Sequence, residues 1–367
     1  MRKTVFMFAA CCIAAWNGFA QGIPTDDRFT ISEATIQPGG EYGVIQVGLQ
    51  GSRIYTAYNL DCLFPEGVDV YYEDGDPALL MDEDGIYPYT KTLSKKTYTH
   101  TVGCTYGVVA PKDLRVACTS NVNGEFTATS GSLFLVGIVA SPYAKPGTAT
   151  LSLSGLNLTV KENAVKYVPA NEDYPVITVG TTSTVSIRIS STNQYSTLVL
   201  PFDAAIPEGL KAYSCSESTD EALLLREAAS FEAYKPYILY AENGFEGTLS
   251  GTVDPEKYVE IATEGLLSGA VVAQQVSKGY VLQNQGEGAK FYAVERATFN
   301  IPEGRCWINE DAITSARAFN FEDITSVAGT SLLLPQTEAY DLSGRRVSKM
   351  EAGRIYVVNG RKILKLK

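Results

Sequence analysis

The sequence is poor in the residues on which most metal sites and hydrolytic enzymes depend. Its 367 residues include one histidine, His100, two tryptophans and four methionines, and 19% of them are charged. One histidine excludes the usual zinc-hydrolase sites, which need two or three. No segment after the N-terminus approaches the ~18 consecutive apolar residues of a membrane-spanning helix. The formal net charge of −11 argues against nucleic acid as a partner, and the 45% hydrophobic content excludes a disordered chain.

The first 20 residues have the pattern of a cleaved secretory signal. Two basic residues precede an apolar run over residues 4–16, and small residues allow cleavage after Ala20. Lipoprotein processing at Cys11 or Cys12 is the alternative, although the residues before them form a poor recognition sequence. Removing the signal leaves no transmembrane segment. We therefore expect an exported protein that is secreted or held at the cell surface.

Five cysteines remain in the mature chain, and their spacing leaves two interpretations open. None of them forms the CxxC spacing typical of zinc sites. Cys104 and Cys118 are close in sequence and flank an apolar stretch, which favours a disulfide between them. The alternative is that all five are small residues of a β-sheet core. The five are Cys62, Cys104, Cys118, Cys215 and Cys306.

Alternating apolar residues and turn signals predict short strands along most of the chain. Leu151 and Leu153 alternate on one phase, whereas Leu156 and Leu158 alternate on the other. The phase changes at Gly155, which predicts a β-bulge there. The tripeptide Pro-Glu-Gly occurs three times, and each copy predicts a turn because proline presets φ and glycine accepts a positive φ. These copies lie at residues 65–67, 207–209 and 302–304.

Breaks in the strand pattern divide the chain. A polar stretch over residues 164–174 predicts a linker between a domain at 21–163 and a second domain at 175–325. Residues 326–367 then form a linker and a distinct tail. The fold class is therefore all-β, with two β-sandwich or jelly-roll-like domains and a small C-terminal β-hairpin tail.

The tail is a separate basic segment with its own resemblance. Residues 338–367 carry a net charge of +5, whereas residues 21–337 carry −18. Asn359-Gly360 between two apolar runs predicts a hairpin with a type I′ turn. The segments 340–346, 353–357 and 359–362 resemble the C-terminal sorting domain of the type IX secretion family. That resemblance implies contact with the secretion machinery and delivery to the cell surface.

The two predicted domains also resemble domains of known surface proteins. Residues 28–163 resemble a cohesin-like sandwich, of the superfamily that includes some carbohydrate-binding modules. This resemblance implies that one sheet face binds a dockerin-like protein module or a carbohydrate. Residues 197–325 resemble a second β domain found with such sorting tails, and no established activity is implied. The first resemblance rests on residues 29–31, 37–40, 44–49, 58–68, 131–134, 146–148 and 158–160. The second rests on residues 198–202, 206–209, 234–239, 279–282 and 301–304.

Tyrosines gather around an acidic stretch and predict the ligand site. Tyrosine rings stack on the apolar faces of sugars, and neighbouring carboxylates accept hydrogen bonds from sugar hydroxyls. The alternative is that these tyrosines pack half-buried in a sandwich. The five candidates are Tyr71, Tyr72, Tyr87, Tyr89 and Tyr98.

The acidic stretch itself has two interpretations. Two Asp-x-Asp steps offer hard oxygen ligands for calcium, although their spacing does not match an EF-hand loop. The other interpretation is a solvated loop. The four candidate ligands are Asp74, Asp76, Asp82 and Asp84. We expect no other cofactor.

Together these features predict an exported binding or adhesion module rather than an enzyme. His100 lies in a strand-like stretch, and no motif marks a catalytic nucleophile or any other catalytic residue. The expected ligand is a carbohydrate or a protein module, bound by the cohesin-like domain. One alternative is a polysaccharide-active enzyme that uses a carboxylate pair. The other is a structural surface-layer or fimbria-like subunit.

Overall fold

The computed structural model describes most of the chain between residues 23 and 323. The described residues are 23–24, 26–73, 76–77, 79–80, 94–96, 99–107, 113–129, 132–218, 222–286, 288–309 and 318–323, with 339–340, 346–347, 355–358 and 361–364 near the C-terminus. In these ranges the regular elements are strands and two single-turn 3-10 helices, Glu162–Ala164 and Pro255–Lys257. The predicted all-β fold is confirmed. Among these residues no helix is long and apolar enough to cross a membrane.

The N-terminal part folds as two facing sheets, which we call the first sandwich. Its described strands are β1 (Ile23–Pro24), β2 (Arg28–Ile31), β3 (Ala34–Ile36), β4 (Gly43–Gln50), β5 (Tyr55–Leu63), β6 (Val68–Val70), β7 (Tyr72–Glu73), β8 (Asp76–Pro77), β9 (Leu79–Leu80), β10 (Ser94–Lys96), β11 (His100–Tyr106), β12 (Asp113–Ser120), β13 (Phe134–Ala140), β14 (Gly147–Val160), β15 (Lys166–Val168) and β16 (Glu172–Val179). The large sheet has the order β1-β15-β14-β5-β12-β11-β10, with β16 beside β14 and β3 beside β16. The small sheet has the order β2-β4-β13-β6, with β9 beside β13.

The core of the first sandwich follows from strand alternation. Ile45 and Val47 of β4 are buried, and Gln46 between them faces away from the core because side chains alternate along a strand. At the centre, Tyr58 packs edge-on against Phe126 with ring centroids 5.8 Å apart and stacks on Phe134. Burying one such large side chain stabilises the fold by about 1.5–3 kcal/mol.

The predicted linker at 164–174 is wrong. Lys166–Val168 forms β15, Glu172–Val179 forms β16, and both strands pair with β14 of the large sheet. The Tyr174 hydroxyl also donates a hydrogen bond to the Phe29 carbonyl at 2.6 Å, which ties β16 to the other sheet. Exposed and half-buried side chains alternate over residues 172–176, so the polar residues here belong to an incompletely covered strand rather than to a connection.

The described residues between 182 and 323 form a second β assembly, which we call the second region. Its described strands are β17 (Thr182–Ile189), β18 (Tyr195–Val199), β19 (Ala204–Ala205), β20 (Lys211–Ser218), β21 (Ala222–Glu227), β22 (Ser230–Phe231), β23 (Pro236–Tyr240), β24 (Phe245–Thr252), β25 (Ile261–Glu264), β26 (Leu267–Ala270), β27 (Gln274–Asn284), β28 (Ala289–Ile301), β29 (Cys306–Ile308) and β30 (Ala318–Asp323). The long sheet has the order β18-β23-β20-β21-β30-β28-β27-β29-β26-β25. β17 pairs with β24, and β19 pairs with β22.

The β17–β24 ladder buries its apolar side against the long sheet. Val185 and Ile187 of β17 belong to one buried cluster with Leu198 and Tyr237 of the long sheet. Tyr143, from the connection between β13 and β14 of the first sandwich, lies in the same cluster and is 6% exposed. One side chain of the first sandwich therefore completes the core of the second region.

Hydrogen bonds surround that shared side chain. The Ser183 hydroxyl donates to the Pro142 carbonyl at 2.6 Å, and the Ser141 hydroxyl donates to the Glu303 carboxylate at 2.7 Å. Contacts within the chain accordingly place both assemblies in one compact unit, Met1–Phe321. A packed junction joins the two predicted domains.

The C-terminal segment Glu322–Lys367 is a second compact unit. Its described strands are β31 (Ala339–Tyr340), β32 (Arg346–Val347), β33 (Ile355–Val358) and β34 (Arg361–Leu364), in the order β32-β31-β33-β34. Val358 pairs with Arg361, so two residues connect these strands and the predicted hairpin is confirmed. The tail is a small sheet that contains this hairpin.

Glycine occupies the predicted irregular positions. The pairing of β14 with β5 shifts between Ser154 and Asn157, and Gly155 has a φ of +60°, so the predicted bulge is confirmed. The glycines of the three Pro-Glu-Gly segments have φ values of +76°, +82° and +75°. In each turn the residue after glycine donates a backbone hydrogen bond to the proline carbonyl, at 3.1, 3.2 and 3.2 Å. The predicted turns are confirmed.

The predicted disulfide between Cys104 and Cys118 is not formed. Cys104 lies opposite Val116 and Cys118 lies opposite Val102, so the two cysteines are diagonal neighbours on β11 and β12. Diagonal positions are roughly 7–8 Å apart, beyond the usual Cα separation of a disulfide. All five cysteines in the described part of the chain are free and buried, in agreement with the alternative of small core residues.

Candidate functional site

The structure describes two of the five predicted ligand-binding tyrosines. Tyr71 directly follows β6 and is half-buried, whereas Tyr72 begins β7 and is 38% exposed. The other three, Tyr87, Tyr89 and Tyr98, lie outside the described residues.

Tyr71 stacks on a tyrosine that the sequence pattern did not single out. The rings of Tyr42 and Tyr71 lie 4.3 Å apart with planes 16° from parallel. Gly137 of β13 makes room for them, because a Cβ there would lie 3.1 Å from the Tyr71 Cβ and 3.6 Å from the Tyr42 ring. Val44 lies opposite Gly137 and is 37% exposed. We call this outer face of the small sheet, which carries Tyr42, Val44, Tyr71 and Gly137, the tyrosine face.

A second aromatic pair forms where β7 meets β11 of the large sheet. The ring of Tyr72 meets the ring of Tyr106 edge-on, with centroids 5.3 Å apart. The Tyr106 hydroxyl donates to the Asp69 carboxylate, and Asp69 lies opposite Val139 of β13. Burial and this hydrogen bond raise the pKa of Tyr106, and burial raises the pKa of Tyr72. Both hydroxyls are therefore neutral at physiological pH.

Carboxylates border the tyrosine face. Glu41 is exposed beside Tyr42, and Glu73 follows Tyr72 at the start of the acidic stretch. Aromatic rings on a sheet with acids at the margin form an amphipathic surface that suits a partner with apolar and basic groups. The sequence pattern could not identify Tyr42, since it lies 29 positions before Tyr71 and only the pairing of the small sheet brings the two together.

The proposed calcium ligands fall mostly outside the described residues. Asp74, Asp82 and Asp84 are not described, and Asp76 is described only as part of β8. Within the described ranges no group of three or more His, Cys, Asp or Glu side chains is arranged to hold a metal ion. The calcium interpretation therefore stays a prediction.

His100 is a core residue. It begins β11, is 1% exposed, and its ring lies edge-on to Phe126 with centroids 6.0 Å apart. A Cβ on Gly124 would lie 2.4 Å from its Cε1, so the backbone closes over the ring. Burial lowers its pKa despite hydrogen bonds to the backbone of Thr56 and Gly124. The enclosed imidazole is a hydrogen-bonded side chain of the core.

Comparisons with known proteins give weak structural likenesses. No protein-family model and no curated protein matches the chain. A non-cellulosomal cohesin from the hyperthermophilic archaeon Archaeoglobus fulgidus is similar at 19% identity and a TM-score of 0.27, over 41% of this chain and 91% of that one. CaCohA2 from Clostridium acetobutylicum is similar at 15% identity and a TM-score of 0.29, over 43% of this chain and 92% of that one.

Proposed function

We propose that this protein is an exported binding module of the cell surface whose tyrosine face holds a partner protein module. The observation that carries the proposal is the stacked pair of Tyr42 and Tyr71 over Gly137, on the side of the small sheet that faces away from the core. Paired strands on both sides of β13 hold these rings in place. A preorganised aromatic surface loses little side-chain entropy when a partner binds.

Several properties of this surface favour a protein over a sugar. Tyr42 and Val44 are 41% and 37% exposed, so the tyrosine face presents two large apolar side chains to solvent. Tyrosine is enriched in protein interfaces and among the residues that dominate their binding energy. Because the rings of Tyr42 and Tyr71 stack on each other, they cover faces that a sugar ring would otherwise use. The acidic margin favours a partner with a basic rim.

The test compares the wild-type protein with the double variant Tyr42→Ala/Tyr71→Ala. Each protein is immobilised and exposed to a cell-surface extract of the source organism and to a panel of purified dockerin modules. Retained proteins are identified and purified, and their Kd is measured by calorimetry. We expect the double variant to bind at least about tenfold more weakly, because central aromatic side chains dominate interface energies. Tyr292→Ala, which removes a half-buried tyrosine of the second region, is the matched control.

Three outcomes would contradict the proposal. The first is equal affinity of the wild type and the double variant for every retained protein. The second is binding of neutral oligosaccharides on a glycan array by the tyrosine face, which would make the ligand a carbohydrate. The third is hydrolysis of a polysaccharide or assembly into polymers by the pure protein.

Export is the second part of the proposal. It is supported by the signal-like pattern of residues 1–20 and by the separate C-terminal unit with its basic charge. The signal would lead the chain across the inner membrane, and the tail would engage the secretion machinery that displays the protein. A binding module on the outside of the cell would then meet its partner there.

A further inference from the structure

An open groove of about 730 Å³ lies in the second region and shares no lining residue with the tyrosine face. Its walls come from the end of β17 and the turn that follows it, from β27 and β28, and from the turn at residues 302–305. A groove of this size suits an elongated ligand of a few rings. The second region has no role in the function proposed above.

Side-chain amides dominate the polar lining of this groove. Each amide offers two N–H donors and one acceptor oxygen, so it can pair with hydroxyl groups, which also donate and accept. A sugar with adjacent hydroxyls matches such a surface, whereas a carboxylate-rich peptide offers mainly acceptors. The five lining amides are Asn193, Gln283, Asn284, Gln285 and Asn300.

The charge of the groove is opposite to that of the protein. The chain has 41 acidic against 30 basic residues. Yet the described residues that line the groove include two arginines, Arg188 and Arg305, and no carboxylate. Arg188 forms an ion pair with Glu246 at 3.9 Å, and both side chains of this pair are more than three-quarters exposed. Such exposed pairs are weak, so Arg188 can turn to another anion.

Several polar groups of the groove are held in position before any ligand binds. The Arg305 guanidinium donates to the Ser196 hydroxyl and to the Thr197 carbonyl at 3.1 Å. The Asn284 amide donates to the Asn193 side-chain oxygen at 3.0 Å, which connects the two walls. Preorganised donors lose less entropy on binding than mobile ones.

We propose that this groove binds a carboxylated oligosaccharide, such as a chain of uronic acids. The planar guanidinium groups of Arg188 and Arg305 match carboxylates in geometry and charge. The amides take the hydroxyls, and the half-buried ring of Phe299 offers apolar area to a sugar face. The protein would then hold a partner with its first sandwich and an acidic glycan with its second region.

The experiment titrates the full mature chain with an oligogalacturonate by calorimetry at low and physiological salt. The methyl-esterified oligogalacturonate is the neutral probe, and a poly-glutamate peptide of similar charge is the peptide probe. We expect the acid form to bind, the ester to bind at least about tenfold more weakly, and salt to weaken the acid form. Arg188→Gln and Arg305→Gln should each weaken binding of the acid form at least about tenfold.

Two further variants keep the test valid if the Arg305 variant fails to fold. Asn284→Ala alters an exposed amide of the groove and should weaken the acid and ester forms alike. Arg226→Gln removes the same charge from an exposed position on β21, outside the groove, and should leave the affinity unchanged. The proposal is overturned if the acid form does not bind, if poly-glutamate binds as tightly, or if Arg226→Gln matches the groove variants. These outcomes do not depend on the tyrosine face, so either proposal can fail alone.

Discussion

Replacing Tyr143 with alanine should uncouple the second region from the first sandwich. Tyr143 belongs to the chain of the first sandwich, yet it lies in the buried cluster of the second region and is 6% exposed. The Tyr143 carbonyl accepts a hydrogen bond from the Tyr258 hydroxyl at 3.0 Å. The Tyr143 hydroxyl lies against the backbone of Gly304, where a Cβ would be 2.3 Å from it. The ring therefore fills a site that no residue of the second region occupies.

The size of the effect follows from the volume removed. Truncating a buried aromatic residue to alanine costs about 3–5 kcal/mol, from lost burial and from the cavity left behind. For a unit of this size, each kcal/mol lowers the melting temperature by about 2–4 °C. We therefore expect the unfolding transition of the second region to fall by roughly 10 °C, while that of the first sandwich stays in place, because Tyr143 is not part of its core.

Differential scanning calorimetry measures both effects. The wild type should unfold in one cooperative transition or in two that overlap closely, and Tyr143→Ala should show two separate transitions. Tyr143→Phe keeps the ring and is the matched control, with an expected loss below about 1.5 kcal/mol. The reasoning is refuted if Tyr143→Ala unfolds in a single transition within about 2 °C of the wild type, or if Tyr143→Phe is as damaging.

Two further predictions concern His100 and the tail. Burial lowers the pKa of His100 below its unfolded value of 6.5, so its contribution to the free energy of unfolding is present above pH 6.5 and is lost as the pH falls through the lowered pKa. Urea unfolding between pH 7.5 and 5 should show this loss in the wild type but not in His100→Gln, and equal slopes would contradict it. Deleting residues 338–367 should leave the protein in the periplasm, and surface protease accessibility equal to that of the wild type would contradict a sorting role.

The sequence pattern predicted the backbone conformation correctly at positions where a single residue type determines it. The change of phase around Gly155 indicated the bulge, because a shift of one residue turns every later side chain to the other face. The three Pro-Glu-Gly turns were equally readable, since a positive φ at the third position favours glycine. Strand existence and fold class followed from the alternation that places residues such as Ile45 and Val47 in the core.

Local sequence features predicted the wrong structure at positions where pairing with distant strands determines the conformation. Residues 164–174 look like a linker, yet their backbone groups pair with β14, and this pairing depends on residues distant in sequence. Cys104 and Cys118 look like a disulfide pair because they are close in the chain. The register of β11 and β12 sets them diagonally, and no local pattern encodes that register.

The candidate sites were predictable only in part for the same reason. Tyr71 and Tyr72 were found because they are adjacent to the acidic stretch, whereas Tyr42 was missed because strand pairing brings it there. The groove of the second region draws its walls from segments around residues 190, 283 and 300. Each segment is an ordinary polar stretch, and their common chemistry becomes visible only when the long sheet aligns them.

The reactivity of the free cysteines in the core should report local unfolding of this protein. Burial raises the pKa of Cys215 and of Cys306 to about 12, so almost no thiolate is present at neutral pH while the strands stay paired. Oxidants and alkylating reagents should therefore reach these sulfurs only during excursions to open forms. No disulfide joins the five described thiols, so a reductant breaks no covalent bond among these strands. The rate at which each cysteine is modified would map, residue by residue, which part of the fold opens first.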